Sequence, residues 1–142
     1  MRQYTAIIFL LLCIFGGVAV GDPREHKKPA EPQSELAQAP VAARSWKNPY
    51  EGRPQAVLAG KQLFDRYCAQ CHGADGKGRG KAPDISGSTV EKTAPGTLFW
   101  FLKNGNLKDG MPAWSHLPDQ QLWQLVSFLQ SGIDSLRPQV QK

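Results

Sequence analysis

The stretch Cys68-Ala69-Gln70-Cys71-His72 decides how the rest of the chain is read. Cysteines three positions apart lie on one side of a helical turn. Both thiols can then reach the two vinyl groups along one edge of a haem and form two thioether bonds. The histidine directly after them is placed to turn its imidazole to the iron, and this spacing is a c-type haem attachment signal. Other uses of a cysteine pair fit less well. A thioredoxin-like pair sits beside a βαβ pattern, and no strand-rich stretch adjoins Cys68. A structural zinc site takes four ligands, whereas the third cysteine, Cys13, lies in an apolar leader. A plain disulfide in an oxidising compartment stays open on spacing alone, although it gives no reason for His72.

Upstream of this turn, Val57, Leu58, Lys61, Leu63, Phe64 and Tyr67 mark one side of a helix that runs from about Gln55 into Cys68. Gly60 is costly inside a helix and implies the close approach of another backbone. Downstream, Gly73 to Gly80 holds four glycines in eight residues. It lacks the Gly-Lys-Ser/Thr ending and the preceding strand of a phosphate cradle, so it reads as a surface loop, closed by Pro83. Leu98-Phe99-Trp100-Phe101-Leu102 is apolar all round, the pattern of a short buried helix, bounded by Pro95-Gly96 and Asn104-Gly105. A second loop carries Gly110-Met111-Pro112-Ala113-Trp114. The last helix starts near Pro118-Asp119, presents Leu122, Trp123, Leu125, Val126 and Leu129 with Phe128 at the margin, and stops at Gly132.

The whole chain has 142 residues, 41% of them hydrophobic, and a net charge of +5. These values allow one domain with chain to spare. From Gln55 onward ten Lys or Arg face seven Asp or Glu, an excess of three. The two propionates of a haem would reduce that further. The basic residues are scattered, which argues against a nucleic-acid surface. Ala6 to Val20 is a run of fifteen apolar or glycine residues behind Arg2, expected to export the chain. Residues 1–21 read as a signal peptide or an N-terminal membrane anchor. Residues 22–54 hold six prolines and eleven charges but few large apolar side chains, so they are expected to form a disordered linker, with Trp46 and Tyr50 either exposed or packed on the domain. Residues 55–136 are the expected domain and 137–142 a flexible tail.

With CAQCH behind one helix, GMPAW in a late loop and a tryptophan-bearing last helix, the chain resembles a class I c-type cytochrome from about Gln55 to Ile133. The resemblance implies an all-α fold, several helices wrapped around one covalent haem c. It implies that Cys68 and Cys71 hold the porphyrin, that His72 is the proximal iron ligand and Met111 the distal one, and that the carbonyl of Pro83 orients His72. It also implies that Gly60 and Phe64 lie where the first helix crosses the last, with Trp123 as their partner. The residues of the chain argue for Met111 on their own account. Apart from Met1 it is the only methionine, and it lies in a Gly/Pro loop, whereas gap-filling methionines belong in helices. His116 is the rival distal ligand.

The function expected is therefore that of a mono-haem electron carrier, not an enzyme, passing single electrons between redox partner proteins outside the cytoplasmic membrane. Export places it in the periplasm, soluble or tethered by its leader, with no nucleic acid involved. Lys77, Arg79 and Lys81 flank the thioether edge in sequence and either steer an acidic partner or are solvated loop charges that aid solubility. The alternatives are a dedicated haem subunit of a membrane-associated dehydrogenase or oxidase and, further off, a haem peroxidase or gas sensor.

Overall fold

The computed structural model describes residues 35–136, which form helices and loops with a single two-residue bridge and no further strand pairing among them. The leader, the tail 137–142 and the linker reading of residues 22–34 lie outside the described residues. The helices are α1 (Pro54–Tyr67), α2 (Ala69–His72), α3 (Ser88–Lys92), α4 (Pro95–Asn104) and α5 (Asp119–Ser131). Short 3₁₀ turns at Val41–Ser45, Leu107–Asp109 and Ile133–Leu136 complete them. None of these helices is long and apolar enough to cross a membrane.

The crossing of α1 and α5 is the largest helix contact and frames the core. Pro54, at the first helical position, starts α1 without wasting a donor. Ala56, Gly60 and Phe64 then recur every four residues and form its buried face. A Cβ on Gly60 would lie 2.0 Å from the Gln124 carbonyl oxygen and 2.8 Å from Phe128 Cβ. Only glycine lets the two backbones meet there. Phe64 packs on Phe128 with ring centroids 5.3 Å apart, and both are almost fully buried with Leu122, Leu125 and Val126.

Three sequence expectations change here. The partner of Gly60 and Phe64 is the Gln124–Phe128 face, and Phe128, marginal by its spacing, is central. Successive helical residues are rotated by about 100°, so Trp123 points elsewhere and stacks on Phe99 of α4 at 4.2 Å. Leu58, expected in the buried stripe, is 54% exposed. It lies two residues from both Ala56 and Gly60, which turns it to the opposite side of α1.

Residues 35–53 also differ from the linker expected of them: they form a strap across α4 and α5. Ala39 and Ala43 are buried, and Trp46 meets Phe99 edge-on at 6.1 Å. A Cβ on Gly96 would lie 2.0 Å from the Ala43 carbonyl oxygen, so the missing side chain of α4 is where the strap seats. Asn48 donates from Nδ2 to Ser127 Oγ (2.9 Å) and to the Trp123 carbonyl (3.2 Å), and its Oδ1 accepts from the Tyr50 N–H at 2.9 Å. Composition misjudges this segment because it counts large apolar residues. The strap is held by small residues against a glycine and by a buried amide.

Candidate functional site

The end of α1 runs directly into the attachment turn. Cys68 closes α1 by donating its N–H to Phe64 O (2.8 Å), and its own carbonyl accepts from the His72 N–H (2.9 Å), the first bond of α2. Cys68 is half-buried, Cys71 is exposed, and both are free thiols. Burial, with the charge of Cys71 adding, pushes the Cys68 thiol up to about 12.

His72 is half-buried one residue further on, with Nδ1 3.2 Å from the Pro83 carbonyl oxygen. A carbonyl only accepts, so Nδ1 carries the proton and Nε2 presents a bare lone pair. Burial lowers the pKa of this imidazole, and the Pro83 hydrogen bond opposes that shift. The ring is thereby held neutral, as a metal ligand requires. The intervening loop folds back through Gly78 N–H to His72 O (2.8 Å) and Ile85 N–H to Gly76 O (2.7 Å), which brings Pro83 back to the histidine. Lys77, Arg79 and Lys81 are exposed on this loop, but Asp75 and Asp84 lie among them and leave an excess of one positive charge.

Met111 sits on the hairpin beyond α4. It is half-buried and packs against the core together with Tyr67, Cys68, Ala69, Ile85 and Trp114. Trp114 meets Tyr67 at 5.3 Å between centroids, and its N–H donates to Leu102 O at 3.0 Å. His116 is exposed, with its ring 5.5 Å from that of Trp114. Among the described residues no three His, Cys, Asp or Glu side chains gather in a way that could hold a bare metal ion.

Sequence reasoning missed Asn106 and Glu35. In the sequence Asn106 is only a residue just past a helix stop, yet it is buried and its backbone pairs with that of Met111. The signal available was its place five residues before the lone loop methionine, at the distance of a tight hairpin. Nothing in the sequence pointed to Glu35.

Comparison with known proteins finds a match over residues 55–129 to the family described as cytochrome c oxidase, cbb3-type, subunit III. Cytochrome c550 of Pseudomonas aeruginosa is 34% identical over 93 residues, covering 61% of this chain and 62% of that protein. The cbb3-type cytochrome c oxidase subunit FixP of Rhizobium meliloti is 37% identical over 83 residues, 56% of this chain and 28% of FixP. The chain thus spans about three-fifths of one relative and little more than a quarter of the other. The crystal structure of cytochrome CL from Methylophaga aminisulfidivorans superposes with a TM-score of 0.52 at 19% identity, over 76% of this chain and 69% of that one. That likeness concerns the fold.

Proposed function

We propose, from the premise that the chain belongs to the class I c-type cytochromes through the family described as cytochrome c oxidase, cbb3-type, subunit III, that its domain passes single electrons between redox partners through one covalent haem c. The observation that carries this reading is the histidine of the attachment turn, kept neutral by burial and locked by Pro83 with Nε2 free.

The residues fit the group. Cys68 and Cys71 are free thiols at the attachment spacing and would hold the porphyrin as thioethers. His72 would ligate the iron through Nε2 from one side, and the Met111 thioether from the other. Tyr67, Ala69, Ile85 and Trp114 each leave part of their apolar surface open beside the core, surface that such a ring would cover. When bound, haem c takes up and releases one electron at its iron. The Pro83 carbonyl fixes the tautomer and orientation of His72. Met111 would supply a soft sulfur ligand on the other side, which would close the iron to O₂ and favour its reduced state. Tyr67 and Trp114, with ring centroids 5.3 Å apart, would help to keep water from the ring. Cys71, being exposed, marks the edge where a partner would approach. The small charge excess of the neighbouring loop suits brief contact with a mildly acidic surface.

The leader Ala6–Val20 supports export to the periplasm, free or tethered. A second reading, a dedicated subunit of an oxidoreductase complex, is favoured by the likeness to FixP, a subunit in which the matched region is a minor part. Co-purification of the tagged full chain with a membrane oxidase or dehydrogenase would distinguish it from a roaming carrier.

Optical spectra of the oxidised and reduced protein test the main reading. The oxidised form should be low-spin and show the weak red charge-transfer band of a methionine–iron bond. Met111→Ala should lose this band and keep its covalent haem, while His116→Ala should leave the band unchanged. If His116→Ala disturbs the iron spectrum and Met111→Ala does not, the distal assignment is wrong.

A further inference from the structure

The hairpin that presents Met111 is fixed at three levels. At its base Trp114 N–H donates to Leu102 O at 3.0 Å. Above this, a Cβ on Gly105 would lie 2.6 Å from the backbone of Pro112 and Ala113, so the two arms are in direct contact. At the top Asn106 and Met111 exchange both backbone bonds, Asn106 N–H to Met111 O at 2.9 Å and Met111 N–H to Asn106 O at 3.0 Å. The position of the Met111 Cα therefore tracks that of Asn106.

Asn106 is in turn held by its side chain. It is 6% exposed, and its Nδ2 donates to Asp109 Oδ2 at 2.9 Å across the turn of the hairpin. Glu35, 8% exposed at the first described position of the strap, faces the same side chain: burial and the charge of Asp109 push its carboxyl upward, and the Asn106 amide opposes them. A carboxylate only accepts, so the amide N–H groups serve both acids. The charges of Glu35 and Asp109 oppose one another. Resting on the assignment of Met111 as distal ligand, we propose that Asn106, clasped between Glu35 of the strap and Asp109, is the positioning residue for the Met111 thioether. Methionine has three rotatable bonds, so its sulfur would stay on an iron only while its backbone is held. The strap thus reaches the distal side of the haem although it lies outside the stretch that carries the attachment turn.

The test uses the full-length, haem-loaded, oxidised protein and measures how fast added imidazole displaces the native distal ligand, together with the red charge-transfer band. Glu35→Ala leaves one amide donor of a buried asparagine unpaired. It should raise the displacement rate about tenfold, the worth of one buried hydrogen bond, with haem content unchanged. Glu35→Gln, which still offers an acceptor oxygen, should return the rate to within about twofold of the parent. Asn106→Ser cannot span both acids and should exceed Glu35→Ala in effect. It also supplies the reading if Glu35→Ala does not accumulate. Displacement at the parent rate in Asn106→Ser, or in Glu35→Ala, overturns the positioning role. A parent protein without the red band, or one whose band survives Met111→Ala, removes the ligand assignment and the proposal with it.

Discussion

Replacing Asn48 with alanine asks whether the strap belongs to the folded unit. Its side chain is 6% exposed and makes three hydrogen bonds, two from Nδ2 to α5 and one to Oδ1 from Tyr50 N–H. At about 1 kcal/mol each they would sum to roughly 3 kcal/mol. Part of that is recovered, because Ser127 Oγ still donates to Trp123 O at 3.1 Å after the change, and water can reach the Tyr50 amide. A loss of about 2 kcal/mol is expected, which for a domain of this size lowers Tm by about 8–16 °C. Asn48→Asp should be worse, since a buried carboxylate cannot donate to the Trp123 carbonyl. The assay is thermal unfolding of the haem-loaded protein, paired with limited proteolysis mapped by mass spectrometry. The parent should resist cleavage across residues 41–53, and Asn48→Ala should be cut there. Equal Tm values with equally rapid cleavage of the parent would show that the segment is a loose linker after all.

Two further outcomes concern the attachment turn and the helix crossing. Parent protein should keep its haem through denaturing electrophoresis and acid–acetone extraction, and the double change Cys68→Ala with Cys71→Ala should abolish this; free extraction from the parent would refute covalent attachment. Gly60→Ala sets a methyl 2.0 Å from the Gln124 carbonyl oxygen, and the overpacking, about 1–3 kcal/mol, should outweigh the roughly 0.5–1 kcal/mol gained by removing a helical glycine. An unchanged denaturant midpoint for that variant would mean the two backbones do not meet.

The attachment turn was legible because Cys68, Cys71 and His72 share one turn of chain. The contact of His72 with Pro83, eleven residues away, followed only from the family resemblance. Four-residue spacing likewise exposed the core faces of α1 and α5. It failed at Trp123, which sits just off the buried face of α5, and at Leu58, an apolar residue on the opposite side of α1 from Ala56 and Gly60. The strap was illegible for a different reason. Its hold depends on Asn48, a polar residue meeting Ser127 across 79 positions, and on Gly96, whose role is to lack a side chain. Neither leaves a periodic trace.

This division between near and distant contacts bears on how the two candidate axial ligands are secured. His72 is set by bonds that close within its own loop: Gly78 N–H on His72 O and the Pro83 carbonyl on Nδ1. Two thioether links on Cys68 and Cys71 would add covalent ties beside it. Met111 has no such tie. Its hairpin hangs on Leu102 at the end of α4, on Asn106, and through Glu35 on a strap that itself depends on Asn48 and Gly96. Loss of any one of these contacts would loosen the hairpin that carries Met111, whereas the bonds within the loop of His72 do not run through them. Variants of the strap should therefore resemble weak versions of Met111→Ala, with haem retained and distal ligation impaired. They should not resemble variants of the cysteine pair, since two thioether links at Cys68 and Cys71 would be covalent and would not depend on the contacts of the strap.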